Sequence, residues 1–432
     1  MSDKRMALAE SLIASGAEIV GRYTAPLQTR LERGVRALRT ANVGERDIVR
    51  IECLDEDERL VQAISCWAVA AVPWLFLGAE SQVTGDAATV ILSDYQEPVR
   101  CGRRAEEINP ELAVLHETSG STGPGRLVRR SVDSVRAEHI GYREGLFLSP
   151  SDTIRVPVSV SHSFGWGIAL SAMFSGSHVD VRPFAKPSSV AADLDEGRAN
   201  KIALTPAGAR LLVSTVRRGT GKVSAALIGA GPVSDELDSA FERRFGTRVT
   251  RGYGSTETGG IFIGKKGLGQ PIRGVRVLSP EQGSEGELVI QTDSPVLGYE
   301  SEALRSSCDW NTRDVVRHDN SGQIWFRGRT GTGVRASGRF VNTEPMRASL
   351  AELEGVDNVT FAVIPRSAQP EMDDIFVVVA GGCLDRRAVE RVVKSETSRR
   401  FVPHVKFVDR LPLNGIGKLD RNALTDWISR DV

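Results

Sequence analysis

The chain has no net charge: its 432 residues carry 55 Lys and Arg against 55 Asp and Glu. No global field therefore draws it to nucleic acid or to an anionic membrane surface. Cysteine is scarce, with five residues at Cys53, Cys66, Cys101, Cys308 and Cys383. No two of them stand in C-x-x-C spacing, which leaves neither a disulfide frame nor a zinc site of that type. Free thiols in a reducing compartment follow, and a cytoplasmic location is expected. Long apolar runs are missing as well. Ala63–Leu77 is too short to span a bilayer and contains Pro73, so no membrane span is expected. The opening Met1-Ser2-Asp3-Lys4-Arg5-Met6 lacks the sustained apolar core of a signal peptide. There is no internal repeat and no low-complexity tract. The length exceeds one ordinary domain, so two or more are expected.

Three clusters carry chemistry. In the first, Thr118, Ser119, Gly120, Ser121, Thr122 and Gly123 follow the apolar run Leu112–Leu115, with Arg126, Arg129 and Arg130 just beyond. Glycines let successive N–H groups face one anion, and hydroxyls add donors that rotate to suit phosphate oxygens. The segment reads as a phosphate cradle; taken alone, a flexible surface loop is an even match. The second cluster is Arg251-Gly252-Tyr253-Gly254-Ser255-Thr256-Glu257-Thr258-Gly259-Gly260. A carboxylate beside phosphates makes sense when Mg²⁺ lies between them, since Mg²⁺ takes one or two carboxylates plus phosphate oxygens. Tyr253 offers a face for a base. Taken alone, a Gly-rich turn with a solvated Glu fits better. The third is Leu411-Pro412-Leu413-Asn414-Gly415-Ile416-Gly417-Lys418, which holds a lysine on a Gly-flanked turn. It is not a G-x-x-x-x-G-K-[ST] loop, because Leu419 follows the lysine and the upstream glycine spacing is wrong.

In this order the three clusters resemble the adenylate-forming superfamily, which includes acyl- and aryl-CoA synthetases, peptide-synthetase adenylation domains and luciferases. The resemblance runs from about Leu112 to Leu424. Val156-Pro157 with Ser161-His162-Ser163-Phe164-Gly165 resembles the start of an acyl-pocket helix, and Ile228-Gly229-Ala230-Gly231-Pro232 a substrate wall. Gly286-Glu287-Leu288 with Gly298-Tyr299 resembles a β-rich segment. Thr312-Arg313-Asp314 with Gly328-Arg329 resembles a nucleotide-ribose clamp.

The fold class expected is α/β. Strand-like Arg50–Cys53, Thr89–Leu92, Leu112–Leu115, Lys201–Leu204 and Ala225–Ile228 alternate with helical Glu58–Val69, Pro206–Val216 and Ser234–Phe245, and Ser131 caps a helix towards Leu146. That order implies mostly parallel sheets covered by helices. From about 258 to 329, glycines and short alternating runs predict an antiparallel β-rich subdomain. Beyond it lies a small α+β unit with strands Thr360–Val363, Ile375–Val379 and Lys406–Val408 and a helix over Arg386–Ser398. The expected layout is a 1–329 domain for ATP and the acyl group and a mobile 330–432 lid. The resemblance places the hinge at Gly331.

The resemblance also implies the chemistry. A carboxylate attacks the α-phosphorus of ATP, anion against polyanion. One unit pair about 4 Å apart opposes this by roughly 4 kcal/mol at an effective dielectric near 20. Lys418 would bridge the two anions, and Thr256, Glu257 and His162 complete the catalytic set. Glu257 would hold the Mg²⁺ that neutralises the leaving pyrophosphate. Thr118 to Gly123 and Arg126 would cradle phosphates, Gly252, Tyr253 and Gly254 would border the nucleotide, and Asp314 and Arg329 would hold the ribose. His162, Phe164, Trp166, Gly229, Ala230 and Gly231 would line the acid pocket. The acceptor is a thiol, either of CoA or of the phosphopantetheine on a separate acyl or peptidyl carrier protein. Amino-acid-activating members place an Asp after the pocket Phe; here Gly165 follows Phe164, which points to an aryl or other non-amino carboxylic acid. An amino-acid adenylation enzyme, a degenerate non-catalytic homologue and an unrelated phosphotransferase are the alternatives. Three positions depart from the family pattern: Gly125-Arg126 replaces Pro-Lys, Arg335 replaces the lysine at the lid entry, and Arg313 replaces the Gly of Thr-Gly-Asp.

Overall fold

The computed structural model describes all residues except 1–2, 22, 79–80, 82, 84–86, 95–96, 119–125, 216–222, 232, 330–333, 337–338, 342, 367–368, 398–401, 413–418, 420 and 431–432. The chain divides into two compact units, residues 1–278 with 290–310 and residues 279–289 with 311–432. The expected 329/330 boundary falls inside the second of these, and Gly331 and Lys418 lie outside the described residues.

Two sheets organise the first unit. The six-stranded sheet runs in the order Val99–Arg100, Val90–Leu92, Ile48–Ile51, Val72–Leu75, Leu112–Glu117, Leu127–Ser131. Its four central strands are parallel and its two edge strands antiparallel. The seven-stranded sheet runs Gln270–Pro271, Gly259–Gly264, Val249–Ser255, Ala225–Ile228, Lys201–Leu204, Thr153–Arg155, His178–Asp180. It is parallel except for Gly259–Gly264 and Gln270–Pro271. Parallel strands are covered on both faces, which is why Leu112–Glu117 and Val72–Leu75 are buried along their whole length. The α/β reading therefore holds, with antiparallel strands at the sheet edges.

Local chemistry sets the helix ends. Ser131 Oγ accepts the Ser134 amide at 3.1 Å and opens helix Val132–Leu146, which closes on Phe147 in the left-handed region. Ser234 Oγ accepts the Leu237 amide at 3.2 Å and opens helix Asp235–Phe245. That helix starts with Asp235, Glu236 and Asp238 and ends with Arg243, Arg244 and a left-handed Gly246, matching its dipole at both ends. Helix Ser163–Phe174 is apolar all round and correspondingly buried.

The β-rich stretch appears as strands Val275–Ser279, Glu285–Thr292, Asp309–His318 and Ile324–Arg329, the last two antiparallel. In the second unit, strands Asn358–Arg366, Gln369–Ala380 and His404–Val408 form a three-stranded sheet. Alternation splits its side chains. Val359, Phe361 and Val377 pack with Met346, Leu350, Val389 and Val393 of two helices. Ala362, Ile364 and Val378 pack with Leu424 and Ile428 of helix Arg421–Arg430. The sheet is thus covered on both faces.

One buried carboxylate joins the two sheets of the first unit. Glu138, on helix Val132–Leu146, pairs through Oε2 with Arg130 Nη2 at 3.1 Å and accepts the Gly260 amide through Oε1 at 2.7 Å. Arg130 comes from the edge of the six-stranded sheet and Gly260 from the seven-stranded one. Gly167 of helix Ser163–Phe174 makes room for this carboxylate: a Cβ there would collide with it. Glu138 is held on two sides and cannot yield. Gly167→Ala is expected to lower the unfolding free energy by about 1–3 kcal/mol, seen as a fall in the denaturant midpoint; an unchanged midpoint contradicts this packing.

His116 gives the fold a pH signature. It is fully buried, its ring 6.0 Å from Trp166. Burial, with the Arg130 charge nearby, holds its pKa down at about 3 against an ordinary 6.5. The folded protein keeps the ring neutral while the unfolded chain protonates below pH 6.5. The contribution is complete above pH 6.5 and is lost as pH falls towards 3, with a slope of up to about 1.4 kcal/mol per pH unit. Denaturant titrations between pH 7 and 5 are expected to show a shallower loss for His116→Phe than for the native chain. Equal slopes contradict the assignment.

Candidate active site

The first cluster begins where strand Leu112–Glu117 ends. Thr118 donates its amide to the Arg126 carbonyl at 2.9 Å, and Arg126 donates its amide to Thr118 Oγ1 at 3.0 Å. These reciprocal bonds bolt the foot of the loop. Ser119, Gly120, Ser121, Thr122 and Gly123 lie outside the described residues.

A second segment is zipped onto the strand that leaves this loop. The Arg129 amide donates to the Gly298 carbonyl at 2.9 Å, and the Glu300 amide to the Leu127 carbonyl at 2.8 Å. The Arg129 guanidinium donates to the carbonyls of Glu302 at 3.0 Å and Glu300 at 2.7 Å. Two basic residues read from sequence as part of the cradle therefore serve the scaffold: Arg129 holds this segment, and buried Arg130 is committed to Glu138. Charge alone could not separate them from Arg126.

The zipper places Tyr299. Its hydroxyl donates to Glu257 Oε1 at 2.6 Å, and its ring lies under Arg126, with Cζ 3.2 Å from the ring centroid. Arg126 also pairs with the Glu302 carboxylate. Glu257, Tyr299 and Arg126 thus form a continuous chain from the second cluster to the foot of the first. Sequence reasoning recognised Glu257 and Arg126 but missed Tyr299, reading Gly298-Tyr299 only as β structure. The sequence carried no signal for this, because the link to Glu257 and Arg126 is made only by the pairing of distant segments.

The second cluster is shaped by its glycines. Strands Val249–Ser255 and Gly259–Gly264 pair antiparallel with a register shift at Tyr253/Gly254. A Cβ at Gly254 would strike the Gly259 carbonyl, and one at Gly259 would strike the Arg130 guanidinium. Thr258 is buried, and its Oγ1 accepts the Ser255 amide at 3.3 Å. This closes a turn that carries Thr256 and the half-buried Glu257. The Tyr253 ring stands edge-on to Phe262 at 5.7 Å, and Gly252 lies above Leu227. A cavity of about 200 Å³ adjoins the turn, lined by Arg129, Ser131, Glu138, Glu257, Thr258 and Asp293 among others.

The expected acid pocket is only partly assembled. Phe164 covers Gly229, where a Cβ would come 2.5 Å from the ring, and Gly231 abuts Pro206. Ala230 takes φ 60°, a left-handed conformation that an L side chain adopts at a cost of about 1 kcal/mol. His162 stands at the N-cap of helix Ser163–Phe174. Trp166 is fully buried and packs edge-on against Trp67 at 5.6 Å, so it belongs to the core and not to a pocket wall. The helix is apolar all round, and its sequence gave no sign of which aromatic faced inward. A second cavity, about 300 Å³, opens at the carboxyl ends of Thr153–Arg155 and Lys201–Leu204, lined by Pro157, Val158, Phe184, Leu204 and Leu211 among others.

In the second unit, Asp314 pairs in register with Arg329 across two strands; the Arg329 side chain lies outside the described residues. The buried Asp314 donates its amide to Thr312 Oγ1 at 3.1 Å, and that hydroxyl donates to the Leu288 carbonyl at 3.0 Å. Arg313 between them has φ 61°. A left-handed conformation is one that glycine favours, and here an Arg adopts it.

Among the described residues, no group of three or more His, Cys, Asp or Glu side chains could hold a metal ion. Glu257, with one carboxylate oxygen bonded to Tyr299, fits a cation that takes its remaining ligands from phosphate and water, as Mg²⁺ does. Among the described residues no helix is long and apolar enough to cross a membrane.

The Gly-punctuated turn thus carries one half-buried carboxylate, Glu257, which Tyr299 links to Arg126. The chain belongs to the AMP-binding enzyme family, whose model matches residues 32–300. It is 22% identical over 351 residues to luciferin 4-monooxygenase of Photuris pensylvanica, covering 74% of this chain and 64% of that protein. It is 23% identical over 360 residues to 4-coumarate--CoA ligase-like 8 of Arabidopsis thaliana, covering 76% and 65%. Against 2-succinylbenzoate--CoA ligase of Staphylococcus aureus the identity is 20%, covering 73% and 67%. The matched region thus spans about two thirds of the length of these relatives. Two solved structures share the fold. ATP-bound MatB from Rhodopseudomonas palustris has a TM-score of 0.78 at 18% identity, covering 99% of each chain. o-Succinylbenzoate CoA synthetase from Bacillus subtilis, with its acyl-adenylate intermediate OSB-AMP, has a TM-score of 0.82 at 16% identity, covering 99% of this chain and 98% of that one.

Removing one partner of the buried pair leaves a bare charge. Glu138→Ala is expected to cost about 3–5 kcal/mol, read from the denaturant midpoint. A loss below 1 kcal/mol would show that the pair does not anchor the turn.

Proposed function

We propose that the chain activates a non-amino carboxylic acid with ATP, forming an acyl-adenylate and pyrophosphate, and then passes the acyl group to a thiol of CoA or of a carrier protein's phosphopantetheine. One observation carries the reading: Tyr299 ties the Glu257 carboxylate to Arg126, so a carboxylate and a guanidinium stand together where the hydroxyl-rich segment 118–123 rejoins the fold. The solved relatives with ATP or an acyl-adenylate bound support it.

In this reading Thr118 to Gly123 and Arg126 bind the β- and γ-phosphates, and Tyr253 borders the base. Asp314 accepts the ribose hydroxyls, with Arg329 beside it. Glu257 holds Mg²⁺, which supplies charge neutralisation for the leaving pyrophosphate. Lys418 bridges the attacking carboxylate and the α-phosphate. No general base is required, because the nucleophile is already an anion, so positioning and electrostatics supply the rate. Thr256 and His162 stand at the turn and at the pocket-helix start, where they orient the acid. The small residues Gly229, Ala230 and Gly231 and the apolar Phe164 favour an aryl or alkyl acid. In the proposed layout Lys418 rides on the 330–432 lid, and Gly331 absorbs its rotation between half-reactions. A chain of this kind works in the cytoplasm.

A pyrophosphate-release assay across a panel of carboxylic acids tests the activity and names the acid. Acid-dependent pyrophosphate and AMP are expected, while ADP as the product overturns the proposal. Lys418→Ala is expected to abolish acyl-adenylate formation yet largely spare thioester formation from supplied acyl-adenylate; equal loss of both counts against a lid that alternates between them.

A further inference from the structure

We propose that Glu302 is an internal stand-in for the triphosphate, holding the Arg126 guanidinium at the foot of the loop until ATP displaces it. This rests on the reading of Arg126 as a phosphate ligand given above. Three observations support it. The Arg126 backbone is fixed by its two bonds to Thr118, and its guanidinium carbon lies 3.2 Å from the centroid of the Tyr299 ring, so the group has little freedom to move. Its Nη2 is paired with the Glu302 carboxylate. The two side chains are 38% and 51% exposed, so a ligand from solvent reaches the pair.

The chemistry makes the exchange exclusive. Carboxylate and phosphate oxygens are equivalent acceptors for a guanidinium, and the Nη2 that Glu302 Oε1 occupies is withheld from a phosphate until the carboxylate leaves. The Glu302 main chain is held independently, its carbonyl accepting from Arg129 at 3.0 Å. The carboxylate is therefore free to swing away without unzipping the segment. Tyr299 keeps the guanidinium stacked as the partner changes, so the arginine remains beside the Glu257 carboxylate. Glu302 thus sets the nucleotide selectivity of the resting site: a triphosphate competes for Arg126, whereas AMP, which lacks the β- and γ-phosphates, does not.

The test is calorimetric titration of the full chain with ATP and with AMP, with no carboxylic acid present so that no reaction follows. Exposed ion pairs of this kind are weak, so Glu302→Gln is expected to tighten ATP binding about two- to fivefold and to leave AMP binding unchanged. In an Arg126→Ala background the same substitution is expected to have no effect on ATP. An unchanged ATP affinity in Glu302→Gln, an equal gain for AMP, or the same gain in the Arg126→Ala background overturns the proposal. If the native chain binds neither nucleotide, the phosphate-site reading itself fails, and this inference with it.

Discussion

The buried Glu138 carboxylate is the constraint on which the site depends. It ties Arg130, on the strand leaving the first loop, to the Gly260 amide, on the strand leaving the second. A charge buried this deeply is tolerable only when paired and hydrogen-bonded. Every neighbour is shaped to allow it. Gly167 gives it space, and Gly259 leaves room for its arginine. Gly260 yields a further position where a Cβ would strike the Tyr142 hydroxyl. The glycines around the second cluster thus serve close packing as much as backbone freedom, and they let strands from two different sheets meet on one helix.

Tyr299 completes the arrangement from the outside. Where Glu138 anchors the strands behind the loops, Tyr299 joins the functional groups in front of them, Glu257 through its hydroxyl and Arg126 through its ring. The segment that carries it is held by main-chain bonds at Gly298 and Glu300, on both sides of Tyr299, so its position does not depend on either functional partner. The replacement of lysine by Arg126 is coherent here. A planar guanidinium stacks on a ring and offers a forked edge, which an ammonium does not.

Much of this was legible in the sequence because it is local. Ser131 and Ser234 announce helix starts through their own hydroxyls, and Leu112–Leu115 announces a buried strand through an unbroken apolar run. The order of the three clusters was enough to name the family. What could not be read is what distant segments do to one another. Arg129 and Arg130 looked like Arg126, and only their partners, main-chain carbonyls for the one and the buried Glu138 for the other, separate them. Trp166 sits on a helix with no polar face, so its sequence could not say that it points at Trp67. Arg313 was legible only as a departure from the usual glycine; its left-handed backbone, flanked by bonds to Asn311 Oδ1 and Thr312 Oγ1, is seen only in the structure.

In the proposed reaction a carboxylate attacks the α-phosphorus of ATP. Isotope transfer tests that most directly. With an acid carrying ¹⁸O in its carboxylate, one labelled oxygen is predicted to appear in the AMP released after acyl transfer. Unlabelled AMP, or label found instead in inorganic phosphate released with ADP, would contradict it.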